Sequence, residues 1–392
     1  MGQESRAYLK EDRSFSFVDK YSFFVAPFRP ECSQPDSFDF PYIYAVDEQH
    51  LNDWLRVRKD RRQQKTADRL FPRLKEGDRE ALSTSITLLE SSLERDRHEA
   101  EELVRLALPF TDRSIRIGIT GVPGVGKSTF IESFGMFVAN LGYKVAVLTI
   151  DPSSAESGGS ILGDKTRMQQ LSVHPNVYIR PSAAGETLGG VARKTRETVF
   201  LCEAAGFDVI IIETVGVGQS ETLVHSMVDF FLLLMLSGAG DELQGIKRGI
   251  MEMADALVIT KADGDNVKKA ELAAREYANA MHLFPPKKSK WTPLSFTCSS
   301  LESKHIDKVW TTLESYVNAA RNNGWWTENR KIQDKYWLRE TLKEMILNDF
   351  FSESDLINAL HSEENSVLKG EVSSFSAADK LYHLYVDHLR RK

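Results

Sequence analysis

The segment from Gly121 to Thr129, GVPGVGKST, limits the possible folds of this chain more than any other feature. It matches the pattern G-x-x-x-x-G-K-[ST], which binds phosphate when it lies between a buried strand and a helix. Residues 116–120 precede it and have the pattern of a short buried strand, and residues 130–141 have the pattern of a helix. This order predicts an α/β fold that binds a nucleoside triphosphate; a glycine turn without a ligand is the less favoured alternative.

The glycine-rich loop is predicted to hold the phosphates through its backbone. Glycines allow N–H groups to surround an anion, and the helix N-terminus adds a partial positive charge. Lys127 can reach the β- and γ-phosphates and is predicted to be catalytic, and Ser128 can offer its hydroxyl to Mg²⁺. The residues predicted to contact the nucleotide here are Gly121, Val122, Pro123, Gly124, Val125, Gly126, Lys127, Ser128 and Thr129.

Charge and apolar runs argue against two classes of partner. The net charge is −6, so the sequence lacks the basic character that favours nucleic-acid binding. The longest apolar run, 230–236, is far shorter than the roughly 20 residues that cross a bilayer, so no membrane helix is expected. Cys32, Cys202 and Cys298 are widely separated, which argues against a disulfide framework and a structural zinc site.

Four zones of the sequence differ in composition and periodicity. Residues 1–50 form an aromatic-rich arm to which we assign no role, and residues 51–113 form a predicted N-terminal helical extension. Residues 114–320 are the predicted nucleotide-binding domain, and residues 321–392 are predicted to be helical again. In the N-terminal extension, Asp78 and Ser83 are predicted helix starts.

Three apolar stripes recur at helical spacing in the two extensions. In the N-terminal extension the stripe consists of Leu82, Ile86, Leu89 and Leu93. In the C-terminal region one stripe consists of Leu338, Leu342, Met345 and Ile346, and the other of Leu381, Leu384, Tyr385 and Leu389. We expect the first stripe to pack in the core.

The nucleotide-binding domain alternates predicted strands with predicted helices. The seven predicted strands cover residues 116–120, 144–150, 177–180, 209–214, 230–236, 256–260 and 294–298. Continuously apolar runs such as 209–212 are typical of strands that are covered on both faces. The fold class is therefore predicted to be α/β, with a mostly parallel sheet flanked by helices.

Carboxylates that follow strands are the predicted Mg²⁺ ligands, because an open α/β sheet binds its ligand at the carboxyl ends of its strands. Asp151 and Glu213 each lie at the end of a predicted strand, and Asp164 lies in a glycine-rich segment between strands. All three are also predicted to be catalytic. The alternative roles are a turn residue for Asp151, a strand-end acid for Glu213 and a helix cap for Asp164.

Gly216 is predicted to couple the nucleotide to a loop, because its N–H could bind the γ-phosphate. In Ras-like enzymes a glutamine that orients the attacking water directly follows this glycine. Here Val217 has that position, and Gln219 comes two residues later. We therefore expect slow intrinsic hydrolysis.

The segment Thr260-Lys261-Ala262-Asp263 predicts that the base is guanine. The Asp263 carboxylate can accept hydrogen bonds from N1–H and N2–H₂ of guanine, whereas adenine would leave it opposite a lone pair. Lys261 can lie across the base. Thr260 occupies the position of Asn in the usual Asn-Lys-x-Asp motif, which leaves one supporting hydrogen bond in question. After the next strand, backbone N–H groups can reach guanine O6 from Ser299, Ser300 and Leu301.

Five motifs in order resemble those of the MeaB/MMAA/ArgK GTPases, which are associated with methylmalonyl-CoA mutase. They are the glycine-rich loop, the segment beginning at Asp151, and residues 158–168, 213–221 and 240–250. The resemblance extends over about residues 60–392. It implies a P-loop GTPase domain over residues 114–320 and homodimers held by the helices of residues 321–392.

The resemblance implies a function and a set of site residues. The function is that of a GTP-hydrolysing chaperone of the adenosylcobalamin-dependent mutase, which gates cobalamin loading and protects or reactivates the mutase. Mg²⁺ and hydrolysis are implied for Ser128, Asp151, Asp164 and Glu213, and Lys247 is implied to reach the nucleotide. Cobalamin would be bound only by the partner enzyme. The family is mitochondrial in eukaryotes and cytoplasmic in bacteria, and the N-terminal length favours the mitochondrial matrix.

Three alternative functions follow from the same loop. A transport or partitioning ATPase would have a second lysine early in the loop, where this chain has Val122. A nickel-inserting GTPase would need a cluster of cysteine and histidine residues. A GTP-dependent binding switch with negligible turnover is consistent with Val217 and differs from an enzyme only in phosphate release.

Overall fold

A computed structural model describes residues 65–91, 93–150, 168–181, 188–214, 220–238 and 248–391 of the chain. All of them belong to one compact unit, residues 57–392. The predicted aromatic-rich arm, residues 1–50, lies outside the described residues. Among the described helices, none is both long and apolar enough to cross a membrane.

A sheet of seven parallel strands forms the centre of the fold. The strands are β1 (Ile115–Gly121), β2 (Val145–Ile150), β3 (Val177–Arg180), β4 (Val209–Thr214), β5 (Phe230–Met235), β6 (Ala256–Ile259) and β7 (Leu294–Thr297). Their order is β3-β2-β4-β1-β5-β6-β7. Ile117 of β1 pairs with Ile211 of β4 and with Phe230 of β5, so β1 is central. The predicted parallel α/β fold is confirmed.

Thirteen α-helices are described, and most of them cover the two faces of the sheet. They are α1 (Ala67–Lys75), α2 (Arg79–Glu90), α3 (Glu94–Ala107), α4 (Lys127–Asn140), α5 (Gln169–Val173), α6 (Leu188–Ala204), α7 (Ser220–His225), α8 (Arg248–Met253), α9 (Val267–Met281), α10 (Ile306–Asn322), α11 (Trp325–Ser352), α12 (Ser354–Leu368) and α13 (Ser374–Arg391). Strands β2, β4, β5 and β6 are buried along their whole length, as expected for strands covered on both faces.

The described part of the N-terminal extension, residues 65–91 and 93–113, packs on one face of the sheet, together with α6 and the middle of α11. Leu82 and Ile86 of its predicted stripe are fully buried in this core. Leu93 is 47% exposed, because it lies just before α3 rather than in the packed face of α2. Asp78 caps α2 by accepting hydrogen bonds from the backbone N–H groups of residues 80 and 81. The predicted start at Ser83 is wrong, because α2 has already begun four residues earlier.

The opposite face is covered by α4, α5 and α10, and this layer positions the nucleotide-binding loop. After β1, the chain forms β2 and β3 on one side of β1, and later it forms β5, β6 and β7 on the other side. The carboxyl end of β1 is therefore the point where the strand order diverges, which is where open α/β sheets bind ligands.

The long helix α11 links the sheet to the C-terminal helices. Its first half is fastened to the core by Arg330, which donates to both carboxylate oxygens of Asp229, at 2.8 and 2.7 Å, and to Asp112 at 2.8 Å. Trp337, 5% exposed, packs in the same core as the N-terminal extension. Beyond Trp337, α11 is followed by α12, which packs on α11 and on α13. The last helix, α13, also contacts the end of α11, where Tyr385 donates a hydrogen bond to Asp349 at 3.0 Å.

Candidate nucleotide-binding site

The glycine-rich loop joins the end of β1 to the start of α4. Gly126, the residue before α4, has φ +92°, a conformation that glycine adopts without the strain of a Cβ atom. The helix therefore begins directly at Lys127, three residues earlier than the sequence predicted. Its first N–H groups have no intrahelical acceptor, so they are available to an anion at this end of the helix.

Lys127 is folded back over the loop that it follows. Its Nζ donates to the carbonyl oxygen of Gly121 at 2.8 Å and lies 3.4 Å from that of Val122. Burial lowers the pKa of Lys127 from its ordinary value, while the nearby carboxylates of Glu213 and Glu221 act in the opposite direction. The ammonium group is thus held at the loop in a partly desolvated place, where an anionic phosphate would favour its charged form.

Ser128 and Glu213 form the described part of the predicted Mg²⁺ site. The Ser128 hydroxyl donates to Oε1 of Glu213 at 3.4 Å, and Glu213 is 7% exposed at the end of β4. A hydroxyl and a carboxylate oxygen are hard donors of the kind that Mg²⁺ prefers. The other predicted residues of this part of the site, Asp151, Asp164, Gly216 and Lys247, lie outside the described residues.

Thr260 connects the predicted base-binding segment directly to the glycine-rich loop. Its hydroxyl lies 2.7 Å from the carbonyl oxygen of Val125 and 3.2 Å from that of Met235, and the residue is 3% exposed. A hydroxyl has one proton, so the shorter contact to Val125 is the better hydrogen bond. Threonine therefore supplies the link that the substitution at this position had placed in question.

Lys261 and Asp263, both predicted to contact the base, have hydrogen-bond partners in the glycine-rich loop and in the loop after β7, respectively. Lys261 has a left-handed backbone, φ +55°, and its Nζ donates to the carbonyl oxygen of Gly124 at 2.8 Å. Asp263 accepts a hydrogen bond of 2.6 Å from the hydroxyl of Ser299. This bond leaves lone pairs on the carboxylate for two further donors, which is the number that the edge of guanine offers.

The loop after β7 brings the third predicted base-binding segment to the same place. Ser299 is fully buried and forms an isolated bridge with Lys304, which closes the loop. The carbonyl oxygen of Ser300 accepts from Ser133 of α4 at 3.4 Å. Ser300 and Leu301 also line a cavity of about 610 Å³ with Thr129 and Glu132 of α4, but the residues that line it do not include Lys127, Lys261 or Asp263. The structure thus joins the loop, the helix and the base-binding segments.

Three residues at this site were missed by the sequence analysis. The amide of Asn266 donates to the carbonyl oxygen of Lys261 at 2.7 Å, and Asn266 in turn accepts from Ser237 at 2.6 Å. This pair holds the left-handed turn that presents Lys261. Glu221, 2% exposed in the first turn of α7, is the second carboxylate near Lys127. An acidic residue in a first helical turn after β4 was a usable signal for Glu221.

Comparison with known proteins agrees with this geometry. Residues 82–355 match the family model described as methylmalonyl-CoA mutase-associated GTPase MeaB. A putative GTPase of Caulobacter vibrioides is 52% identical over 80% of this chain and 96% of its own length. The methylmalonic aciduria type A homolog of Mus musculus, named mitochondrial, is 42% identical over 82% of this chain and 80% of its own.

A solved structure has the same architecture. An LAO/AO transport system kinase, known from its crystal structure, is 36% identical in sequence to this chain and matches its fold with a TM-score of 0.65. The match covers 81% of this chain and 97% of the kinase chain. The resemblance seen in the sequence motifs is confirmed by the family match and by these identities. The chain belongs to the family of methylmalonyl-CoA mutase-associated P-loop GTPases and is a GTPase.

Proposed function

We propose that this GTPase is a chaperone of an adenosylcobalamin-dependent methylmalonyl-CoA mutase. It uses GTP binding and hydrolysis to gate the loading of cobalamin into the mutase and to protect or reactivate that enzyme. The observation that carries the proposal is the match of residues 82–355 to a family described by its association with the mutase. Cobalamin belongs to the partner enzyme in this account, and GTP with Mg²⁺ belongs to the chain itself.

The donor set supports Mg²⁺ as the metal of this site. We assign Ser128 and Glu213 to it, together with Asp151 and Asp164, which the sequence places around the segment between β2 and α5. Ile150, the residue before Asp151, pairs with Thr214, the residue after Glu213, so Glu213 lies at the carboxyl end of β4 and Asp151 directly follows the neighbouring strand β2 in the sequence. Bound Mg²⁺ would neutralise charge on the β- and γ-phosphates, while Lys127 supplies a second positive group. Lys247 is proposed to reach the nucleotide in the partner complex.

We also propose that the chain is a homodimer through its C-terminal arm, defined as residues 338–391. In the arm, the buried residues are Leu356, Glu363 and Ala377, which is too small a core for three helices. Large apolar side chains of the arm are instead 43–87% exposed: Leu338, Leu342, Met345, Ile346, Leu347, Phe351, Leu368, Phe375, Tyr382, Leu384 and Leu389. An exposed apolar surface of this extent is typical of a protein interface.

The predicted stripe of α11 supplies the test of the dimer. Leu338, Leu342, Met345 and Ile346 lie at helical spacing on one face, and each is at least 48% exposed. Sedimentation should give about twice the chain mass of 44.3 kDa. The double variant Leu342→Glu/Met345→Glu should sediment as a monomer. Leu283→Glu, at a leucine outside the arm that is more exposed (81%) than Leu342 (56%) and Met345 (49%), should remain dimeric; a monomeric wild type would contradict the proposal.

The chaperone function is tested by reconstitution with the mutase. The chain and mutase apoenzyme are mixed with adenosylcobalamin and with GTP, GDP or a non-hydrolysable GTP analogue. We expect a nucleotide-dependent complex and a rate of cobalamin loading, read from its absorption, that differs between GTP and the analogue. Lys127→Ala, which weakens triphosphate binding, should abolish both effects. Equal loading in the presence and absence of the chain would contradict the proposal.

Phosphate release separates the enzyme from a pure binding switch. Release is measured with and without the mutase, because Val217 stands where Ras-like enzymes have glutamine. We expect slow release from the chain alone and faster release in the complex. No release under either condition would favour the switch. The location proposed is the mitochondrial matrix, supported by the name of the mouse relative, and a cytoplasmic signal from a fluorescent full-length fusion would contradict it.

A further inference from the structure

A cavity of about 610 Å³, which we call the α4 cavity, lies between helix α4 and the loop that follows β7. Its lining includes Thr129, Glu132 and Ser133 on the side of α4, and Ser300 and Leu301 on the side of the loop. Thr129 ends the glycine-rich loop that is predicted to bind the phosphates, whereas Ser300 and Leu301 are predicted to contact the base. The α4 cavity is thus bounded by one end of the predicted phosphate site and one end of the predicted base site.

The ribose of a bound nucleotide has to span the gap between these two ends, because it joins the base to the α-phosphate. The width of the gap follows from α4. The hydroxyl of Ser133 lies 3.4 Å from the carbonyl oxygen of Ser300, and Thr129 precedes Ser133 by about one helical turn, or about 6 Å along the axis. A ribose ring with its 5′-carbon is about this long, so the ribose fits across the mouth of the α4 cavity.

Two carboxylates determine the chemistry of the cavity wall. Glu132 is half-buried on α4, and its Oε1 accepts a hydrogen bond of 2.9 Å from the backbone N–H of Gln170. This bond holds the carboxylate in place and leaves lone pairs for further donors. Asp307, exposed in the first turn of α10, is the other acidic residue of the lining.

Positive side chains do not offset these carboxylates. Among the described residues that line the α4 cavity, there is no lysine or arginine. Two lysines of the same stretch of chain have other partners: Lys304 pairs with Glu302, and Nζ of Lys308 lies 4.8 Å from the ring centroid of Phe296. The cavity is therefore acidic, and it should favour hydrogen-bond donors over anions.

We infer that the α4 cavity selects the ribose of the nucleotide. Glu132 and Asp307 favour a ribose with free 2′- and 3′-hydroxyl groups and oppose a ribose that carries phosphate there. The hydroxyl groups can donate to a carboxylate, whereas the ring oxygen can only accept, so the hydroxyl edge of the ribose faces the cavity. A cavity of about 610 Å³ has room for a phosphate, so the exclusion acts through charge rather than size. The inference rests on the predicted base and phosphate contacts and adds a third set, to the ribose.

The test compares nucleotides that differ only in the ribose. Affinities are measured by titration calorimetry, without a fluorescent label, for GDP, 2′-deoxy-GDP, 3′-deoxy-GDP and guanosine 5′-diphosphate 3′-diphosphate. We expect at least one deoxy analogue to bind about tenfold more weakly than GDP, as for the loss of a hydrogen bond to a charged group. The 3′-diphosphate should also bind at least about tenfold more weakly than GDP, because it loses a donor and adds like charge.

The double variant Glu132→Gln/Asp307→Asn removes both charges and nearly conserves shape, and its glutamine can still accept from Gln170. It should bind the 3′-diphosphate within about threefold of GDP, and its preference for GDP over the deoxy analogue should fall to about threefold, because a neutral acceptor is weaker. The single variant Asp307→Asn, at an exposed residue, should reduce the discrimination against the 3′-diphosphate about threefold. Glu302→Gln is the matched control: it removes a carboxylate next to Leu301 that does not line the cavity, and it should keep the wild-type ratios.

Two results would overturn the inference. Wild type may bind the deoxy analogues and the 3′-diphosphate within about twofold of GDP, in which case the ribose does not meet these carboxylates. Alternatively, both the double variant and Asp307→Asn may keep the wild-type ratios, in which case the selection arises elsewhere. Failure of the base assignment gives a different result, namely equal affinity for GDP and ADP, and these assays on the chain alone do not depend on the proposed mutase.

Discussion

Replacing Thr260 with valine should weaken nucleotide binding through the glycine-rich loop. Valine has nearly the same shape and lacks the hydroxyl, so the main change is the loss of the 2.7 Å hydrogen bond to the carbonyl oxygen of Val125. Val125 is fully buried, and this carbonyl belongs to the loop that must surround the phosphates. A buried polar group left without its partner costs about 1 to 3 kcal/mol.

The cost of Thr260→Val is divided between folding and binding. If the loop relaxes and hydrates the Val125 carbonyl in the free protein, the cost appears when nucleotide restores the loop, as a Kd raised about 5- to 140-fold at 1.4 kcal/mol per factor of ten. If the loop cannot relax, the cost appears as a lower free energy of unfolding. The two losses together should amount to about 1 to 3 kcal/mol. GTP and GDP should be affected alike, because both carry a β-phosphate.

The assay is titration of fluorescent GTP and GDP, combined with urea unfolding of the same variants. Thr260→Ser restores the hydroxyl and should recover most of the affinity. Thr195→Val is the matched control, since Thr195 is also buried and donates to a carbonyl oxygen at 2.8 Å, but within α6. If Thr260→Val keeps both its Kd for GTP within about twofold and its stability within about 0.3 kcal/mol, the hydrogen bond to Val125 does not support the loop.

Two further predictions concern charged groups. Burial lowers the pKa of Lys127 below its ordinary value of 10.5, and bound phosphate favours the charged form. GTP affinity should therefore fall as the pH rises through the pKa that Lys127 has in the nucleotide-free protein. The fall should approach about tenfold per pH unit for one proton, and a Lys127→Arg variant should show a flat profile; a flat wild-type profile would contradict the assignment. Arg330→Met should lower the free energy of unfolding by about 3 to 5 kcal/mol in urea, because it leaves buried Asp229 uncompensated. Arg97→Met, which removes an exposed pair with Glu101, should cost less than about 1 kcal/mol; an equal loss in both variants would refute this reasoning.

The sequence predicted the sheet well because four of its strands, β2, β4, β5 and β6, are mainly apolar and buried along their whole length. The bounds of β3 and β4 match the prediction. Three predicted strands extended one residue too far, to Leu236, Thr260 and Cys298. At Thr260 the backbone N–H still donates to the carbonyl oxygen of Met235 in β5 at 2.8 Å, while the hydroxyl turns to the glycine-rich loop.

The periodicity of the sequence could not predict contacts between distant parts of the chain. The bond from Thr260 to Val125 spans 135 residues, and the ion pair from Arg330 to Asp229 spans 101. Neither has a repeat or a spacing that a local pattern could show. The motifs identified the groups that meet the nucleotide, whereas the residues that hold those groups, such as Asn266 behind Lys261, required the folded structure.

Selection of guanine by Asp263 is the central claim about the site, and an exchange of bases tests it most directly. Xanthine has a carbonyl group at C2 where guanine has an amino group, so an amide in place of the carboxylate could donate to xanthine and would oppose the amino group of guanine. The measurement is hydrolysis of GTP and of xanthosine triphosphate by wild type and by Asp263→Asn. We predict that the variant loses most of its activity toward GTP and gains activity toward xanthosine triphosphate. An Asp263→Asn variant that still prefers GTP as strongly as wild type would contradict the account.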